Sequence, residues 1–157
     1  MAPFDLMFLL SQAKHALETE LTVALAEIGS TPRIQCVLAK ASEGELTQTQ
    51  LAELATIDKT TMVVTMDALE RDGLAERRPS SVDRRARVIA VTGEGRRMVA
   101  AGQEIVDRIF DDVLATLPAR EREAFVDALQ RLVGDGGRLS TPVHTERPVR
   151  RRAVRAR

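Results

Sequence analysis

The stretch from Lys59 to Thr92 constrains this chain more than any other. A helix of about 59–72 is closed by Gly73, a natural helix C-cap. Leu74–Pro79 and Arg87–Thr92 then have the length of two short strands, and Ser80–Ala86 forms the turn between them. In the second strand Arg87, Ile89 and Val91 share one face, and Val88 and Ala90 the other. Five arginines crowd the projecting part: Arg77, Arg78, Arg84, Arg85 and Arg87. One acid, Asp83, sits among them. Like charges on a loop tip repel unless anions meet them. Arginine is also the side chain that narrow minor grooves attract. Asp83 is expected to pair with an arginine and hold the turn. A merely solvated loop is the alternative, and what precedes the turn weakens it.

Thr47-Gln48-Thr49-Gln50 has the capping-box pattern, and opens a helix of 48–55 that buries Leu51, Leu54 and Ala55. A turn at Thr56-Ile57-Asp58 leads to the next helix, capped by Asp58. Two short helices joined so tightly form a helix-turn-helix, whose second helix enters a major groove. Within that helix Met62, Met66 and Leu69 face the core. The opposite face carries Thr60, Thr61, Val63, Val64 and Asp67. An apolar pair on a solvent face needs a reason. One of the two valines packs on a neighbouring helix, or the pair touches thymine methyl groups. Lys59, Thr60 and Thr61, at the helix N-terminus, suit phosphate or base-edge contacts.

The flanking segments are helical. Leu6, Leu9, Leu10, Ala13, Leu17, Leu21, Ala24, Leu25 and Ile28 recur at helical spacing over 5–29, and Met7 and Phe8 widen the apolar face. So apolar a helix wants burial on several sides, as in a dimer interface. Thr31-Pro32 opens a second helix, with Ile34, Val37, Leu38 and Ala41 apolar. Cys36 lies on it. It is read as a small, partly buried side chain, with a redox-sensing thiol as the alternative and Arg33 its nearest cation. A long helix runs from the Gly93 region to about Leu117, with Met98, Ala101, Ile105, Ile109, Val113 and Leu117 along its face. Another starts at Pro118 and ends at Gly134. Two such sets of terminal helices would pack into a two-fold bundle. The resulting fold class is mainly α (α+β): a winged helix-turn-helix region at 31–92 and a helical dimerisation region at 1–30 and 93–135. A basic tail, 136–157, is expected to be disordered.

The 157 residues carry no net charge, yet from Leu139 onward there are six arginines and one acid. The remainder holds 17 basic and 22 acidic residues, so the folded part presents one basic patch on an acidic body. Four Phe, with no Tyr or Trp, leave no stacking platform for single strands or RNA. A lone cysteine excludes an intrachain disulfide and fits a reducing cytoplasm. The apolar run Phe4–Leu10 is too short, and too soon followed by charges, for a signal peptide or a spanning helix. His15 and His144 have no motif partner, and there is no metal-ligand spacing, phosphate-binding glycine loop or nucleophile elbow. Neither an enzyme nor a metal or cofactor is expected.

These residues bear a family resemblance. Asp83-Arg84-Arg85, then Val88-Ile89-Ala90-Val91, then Thr92-Gly93-Glu94-Gly95 resembles the wing signature of the MarR family of bacterial winged-helix repressors. Asp58-Lys59-Thr60-Thr61-Met62, Asp67-Ala68-Leu69-Glu70 and Gly73-Leu74 resemble its recognition helix, and the likeness spans about 5–134. It implies an obligate homodimer on a pseudo-palindromic duplex, joined through the first and the last two helices. It places the recognition helices in successive major grooves and Arg85 in the adjacent minor groove. Thr47, Gln48, Lys59, Thr60, Thr61, Val63, Val64, Arg77, Asp83, Arg84, Arg85 and Arg87 are then the candidate DNA contacts. The family often has a polar residue or arginine where Val64 stands, which shifts weight here to shape readout and methyl contacts. A small, often phenolic or lipophilic, effector between the dimerisation helices and the winged lobe is also implied, with His15, Cys36 and Met62 as candidate pocket residues. The thiol-oxidation branch of the family has its reactive cysteine early in the first helix, unlike Cys36. A redox-responsive regulator and a winged-helix protein-interaction module are the competing readings.

Overall fold

The structure is a computed structural model that describes residues 5–134. The basic segment expected at 136–157 lies outside those residues. The chain divides into two compact units, Met1–Thr116 and Leu117–Arg157.

The first unit runs α1 (Leu6–Ala26), α2 (Pro32–Ser42), β1 (Leu46–Thr47), α3 (Gln48–Leu54), α4 (Lys59–Arg71), β2 (Ala75–Pro79), β3 (Arg87–Val91) and α5 (Gly93–Ala115). Each helix begins where a short polar side chain can take an orphan backbone N–H. Thr31 accepts from Ile34 N at 3.2 Å, with Pro32 opening α2. Thr47 and Gln50 complete the capping box of α3, with Thr47 N donating to Gln50 Oε1 at 2.8 Å. Asp58 accepts from Thr61 N at 2.9 Å. Between α3 and α4 the backbone turns through Thr56 at φ 54°, a left-handed conformation in a residue other than glycine. Gly73, at φ 69°, closes α4.

One core holds the helix-turn-helix. Val37, Leu38 and Ala41 of α2 meet Leu51 and Ala52 of α3, Met62, Met66 and Leu69 of α4, and Leu74, Ala75 and Ile89 from the sheet side. Leu51, Met62, Met66 and Leu69 are wholly buried, and each such side chain contributes about 1.5–3 kcal/mol by leaving water. The face of α4 turned away from solvent is thereby fixed. A second, smaller core joins Leu21 and Leu25 of α1 to Ile109 of α5.

The sheet has three antiparallel strands in the order β1-β3-β2, not the two expected. β1 pairs Leu46 with Ile89 and Thr47 with Val88, while β2 pairs Ala75 with Val91 through to Pro79 with Arg87. Two residues are too few to show alternation, which is why β1 was invisible in the sequence. Val88 and Ile89 are both buried, so the central strand β3 is covered on both faces.

α5 also differs from its sequence pattern. Ala101 is exposed and Gly102 is buried. A Cβ at Gly102 would collide with the side-chain amide of Gln35, which is itself buried. Gln35 Nε2 donates to Ser30 Oγ at 3.2 Å and to Met98 O at 3.0 Å, tying α2 to α5. At the start of α5, the Thr92 hydroxyl accepts from Gly95 N at 3.0 Å and donates to Gly73 O at 2.7 Å, with Leu74 O at 3.1 Å. Gly95 is the close neighbour here: a Cβ would overlap Leu74 O and come within 2.7 Å of Val91 Cγ1.

The second unit contains α6 (Ala119–Val133), which begins after Pro118 and whose first turn carries Glu121. Arg122 Nε donates to Leu117 O at 3.0 Å. Among the described residues no helix is long and apolar enough to cross a membrane.

Candidate nucleic-acid interface

α4 presents two stripes. Met62, Thr65, Met66 and Leu69 are buried, and Thr60, Val63, Val64 and Asp67 lie on the solvent side. Val63 is 45% and Val64 65% exposed. Of the two expectations for these valines, packing on a neighbouring helix is not realised among the described residues. Lys59 and Thr60 are exposed at the N-terminus of the helix, where backbone N–H groups and the helix dipole favour anions. Thr61 is less free: its hydroxyl donates to Asp58 Oδ2 at 2.6 Å. That bond, followed by the backbone bond from Thr61, holds the Asp58 carboxyl below its usual range. The hydroxyl of Thr47 serves the capping box and Gln48 Oε1 accepts from Arg77 Nε at 3.1 Å, so both are half-buried parts of the scaffold.

The turn between β2 and β3 is built by its own hydrogen bonds. Ser80 N donates to Ala86 O at 3.0 Å and Ala86 N to Asp83 O at 2.9 Å. Ser80 Oγ accepts from Val82 N at 3.1 Å and Asp83 N at 3.3 Å. Asp83 does hold the turn, but not by pairing with a guanidinium. Its Oδ1 accepts from the backbone N of Arg85 at 2.9 Å, because the short side chain reaches the amide two residues on more readily than a long arginine head.

The foot of this wing is pinned by Glu45, which sequence reasoning passed over. Ser80 Oγ donates to Glu45 Oε2 at 2.7 Å, Ser81 N reaches the same oxygen at 3.0 Å, and Arg78 Nη2 lies 3.8 Å from Oε1. The hydrogen bonds from Ser80 and then Ser81, with a smaller contribution from Arg78, keep the Glu45 carboxyl below the ordinary range. The bond spans 35 positions in sequence, and no local pattern signals it.

The five arginines divide into two groups. Arg77, only 28% exposed at its side chain, is part of the scaffold. Its Nη2 bonds Asp67 Oδ1 at 2.9 Å, its Nη1 bonds Glu70 Oε2, and its backbone N donates to Glu70 Oε1 at 2.8 Å. Arg78 leans toward Glu45. Arg84, Arg85 and Arg87 are exposed, as is Lys59, and among the described residues no carboxylate lies within ion-pair distance of these four. Arg77 therefore pairs with two acids on α4 and offsets one of their two charges, while among the described residues four cations on the wing and at the head of the same helix have no carboxylate partner.

The three pocket candidates are not brought together. Cys36 lines a cavity of about 210 Å³ between α1, α2 and α5, walled by Leu21, Leu25, Gln103, Val106 and Phe110. Its thiol is pushed above the usual cysteine value, chiefly by desolvation, with Lys40 opposing and Glu43 assisting. Lys40, rather than the expected Arg33, is the cation acting on it. His15 borders a separate, open hollow of about 680 Å³ with Glu20, Arg108 and Asp112. Met62 lines neither; it is wholly buried in the helix-turn-helix core, its place fixed by the stripe it shares with Met66 and Leu69. Among the described residues no group of three His, Cys, Asp or Glu is placed to hold a metal ion.

Comparison with known proteins bears on the same elements. Residues 38–86, from α2 to the tip of the wing, match the model of the MarR family. The chain is 29% identical over 102 residues to the transcriptional regulator HosA of Escherichia coli O157:H7, covering 65% of this chain and 76% of that one. Among solved structures it is similar to CouR from Rhodococcus jostii RHA1 bound to p-coumaroyl-CoA, with TM-score 0.75, 29% identity, and 83% and 93% of the two chains covered. It is also similar to the transcriptional repressor CouR bound to a 23-mer DNA duplex, with TM-score 0.72, 28% identity, and 79% and 89% covered. These relatives are regulators of transcription, not enzymes. With its helix-turn-helix and its three-stranded wing, the chain is similar to winged helix-turn-helix transcriptional regulators, and its residues 38–86 match the MarR family.

Proposed function

We propose that this regulator is a cytoplasmic repressor that binds a pseudo-palindromic operator as a homodimer and leaves it when a small lipophilic or phenolic effector binds. The observation that carries the reading is the set of unpaired cations, Lys59, Arg84, Arg85 and Arg87, beside an uncovered α4. Such cations gain by displacing counterions from phosphates. On this reading α4 enters the major groove and the wing, led by Arg85, the neighbouring minor groove. The 23-mer duplex bound by the similar CouR supports it.

Homodimer formation is supported by α1. Leu6, Met7, Phe8 and Leu9 are all exposed at its N-terminal end, a contiguous apolar surface of the kind that marks an interface. The effector part is supported by the apolar cavity between α1, α2 and α5, and by p-coumaroyl-CoA, a phenolic thioester, in the similar CouR. The raised thiol of Cys36 disfavours a peroxide sensor, which works through the thiolate.

The test is a gel shift of the full chain on DNA adjoining its own gene, with light scattering for the oligomeric state. A shift by a dimer, reversed by phenolic compounds, is expected. A monomer in solution, or no shift on any such DNA at low salt, would overturn the reading.

A further inference from the structure

We infer that Val63 and Val64 recognise the 5-methyl groups of thymines, so that each operator half-site carries thymine where α4 crosses it. This rests on the reading that α4 faces duplex DNA, and adds to it the chemical feature that is read.

The outward stripe of α4 is Thr60, Val63, Val64 and Asp67, at positions i, i+3, i+4 and i+7. Most of the polar groups near it are already engaged. The Thr61 hydroxyl is held by Asp58, and the Thr65 hydroxyl donates to Thr61 O at 2.8 Å and is buried. Asp67 and Glu70 are both bonded to Arg77. Beyond Lys59 and Thr60, the middle of the helix offers a groove only two branched hydrocarbon side chains. Valine on a helix holds essentially one χ1 rotamer, so these methyl groups are fixed in place before binding.

In the major groove the apolar feature of the base edges is the thymine methyl; the other edges present donors and acceptors. The charge around the valines selects this partner over an apolar protein surface. Lys59 stands at one end of the stripe, and the wing arginines belong to the same unit. The nearby acids Asp67 and Glu70 are both tied to Arg77, which leaves one negative charge there against four cations without a carboxylate partner among the described residues. A polyanion with methyl groups on its floor matches both properties.

The experiment enriches random duplexes on the full chain, then replaces each thymine of the enriched site by deoxyuridine, which differs by that methyl alone. Affinities are measured by fluorescence anisotropy at one salt concentration for the native chain, for Val63→Ala, Val64→Ala and the double variant, and for Lys59→Ala. Removal of a contacted methyl should weaken native binding about fourfold, the value of one buried methylene-sized group. The double variant should bind thymine and deoxyuridine duplexes equally, while Lys59→Ala should weaken both and keep their ratio. Both valines are exposed and alanine is the better helix former, so the variants should melt at the native temperature or above it. Equal native affinity for the two duplexes overturns the inference, as does a double variant that still prefers thymine, or an enriched half-site without thymine. If no duplex is enriched, the DNA reading falls and this inference with it.

Discussion

Gly102 of α5 lies directly against the buried amide of Gln35 in α2, so close that no side chain fits between them. The contact sets the separation of the two helices that wall the Cys36 cavity. Gly102→Ala would gain about 1 kcal/mol of helix propensity. It would also push Gln35 off Ser30 and Met98, and unmaking buried hydrogen bonds costs about 1–3 kcal/mol each. A net loss of stability is expected in urea unfolding, and adding Gln35→Ala should recover part of it. Simple additivity of the two changes would refute this account of the contact.

Glu45 should report the wing's attachment as pH falls. Its carboxyl is depressed in the folded chain, so its stabilising contribution is complete above the ordinary glutamate value of about 4.3 and is lost as pH drops through the lower folded value. The Ser81 amide, which donates to Glu45, should shift in NMR spectra with a midpoint below about 4.3. A midpoint at or above that value would refute the anchor. Glu45→Ala should free the wing and weaken DNA binding while leaving the helical core folded.

The two kinds of arginine should behave differently. Arg85→Ala removes an unpaired cation and should leave the melting temperature unchanged. It should lower the salt dependence of operator binding, the slope of log K against log salt falling by about 2 for a dimer that loses one phosphate contact per protomer. Arg77→Ala should destabilise the fold by about 0.5–1 kcal/mol, the usual worth of exposed or half-exposed ion pairs. It should also weaken DNA binding by baring Asp67 and Glu70, and adding Asp67→Asn should restore part of the affinity. An Arg77→Ala variant that matched Arg85→Ala in both measurements would erase the distinction.

Cys36 is exposed rather than partly buried as expected, yet neighbouring groups desolvate its thiol. It should therefore alkylate more slowly than a free cysteine at pH 7.5, with the rate climbing above the ordinary thiol value, because desolvation favours the uncharged form. Peroxide should leave DNA binding the same in the native chain and in Cys36→Ser. A peroxide effect that vanished in the variant would restore the redox reading.

The sequence carried the elements whose signals are local. Asp58, Thr47 with Gln50, Gly73 and the Met62–Met66–Leu69 stripe are spaced by the helix itself, and the structure uses each as the spacing implies. What escaped was set by partners far along the chain. β1 is two residues long and exists because β3 lies beside it. Glu45 meets Ser80 only after the sheet has formed, and Gly102 is recognisable as a packing residue only once Gln35 stands opposite. Arg77 and Arg85 look alike in sequence. What separates them is Asp67 and Glu70, which the α4–β2 corner brings to one and not to the other.

One hydroxyl gives the molecule a pivot. Thr92 caps α5 while its proton is shared with the carbonyls of Gly73 and Leu74, where α4 ends. The Gly95 backbone lies against Leu74 with no room for a Cβ between them. α5 is also the helix that brings Gln103, Val106 and Phe110 to the cavity. A molecule that wedged α5 away from α1 and α2 would act on a lever whose short end is held at the turn that follows α4. Small displacements at the cavity would then be felt at the end of α4, the helix that carries the exposed Val63 and Val64.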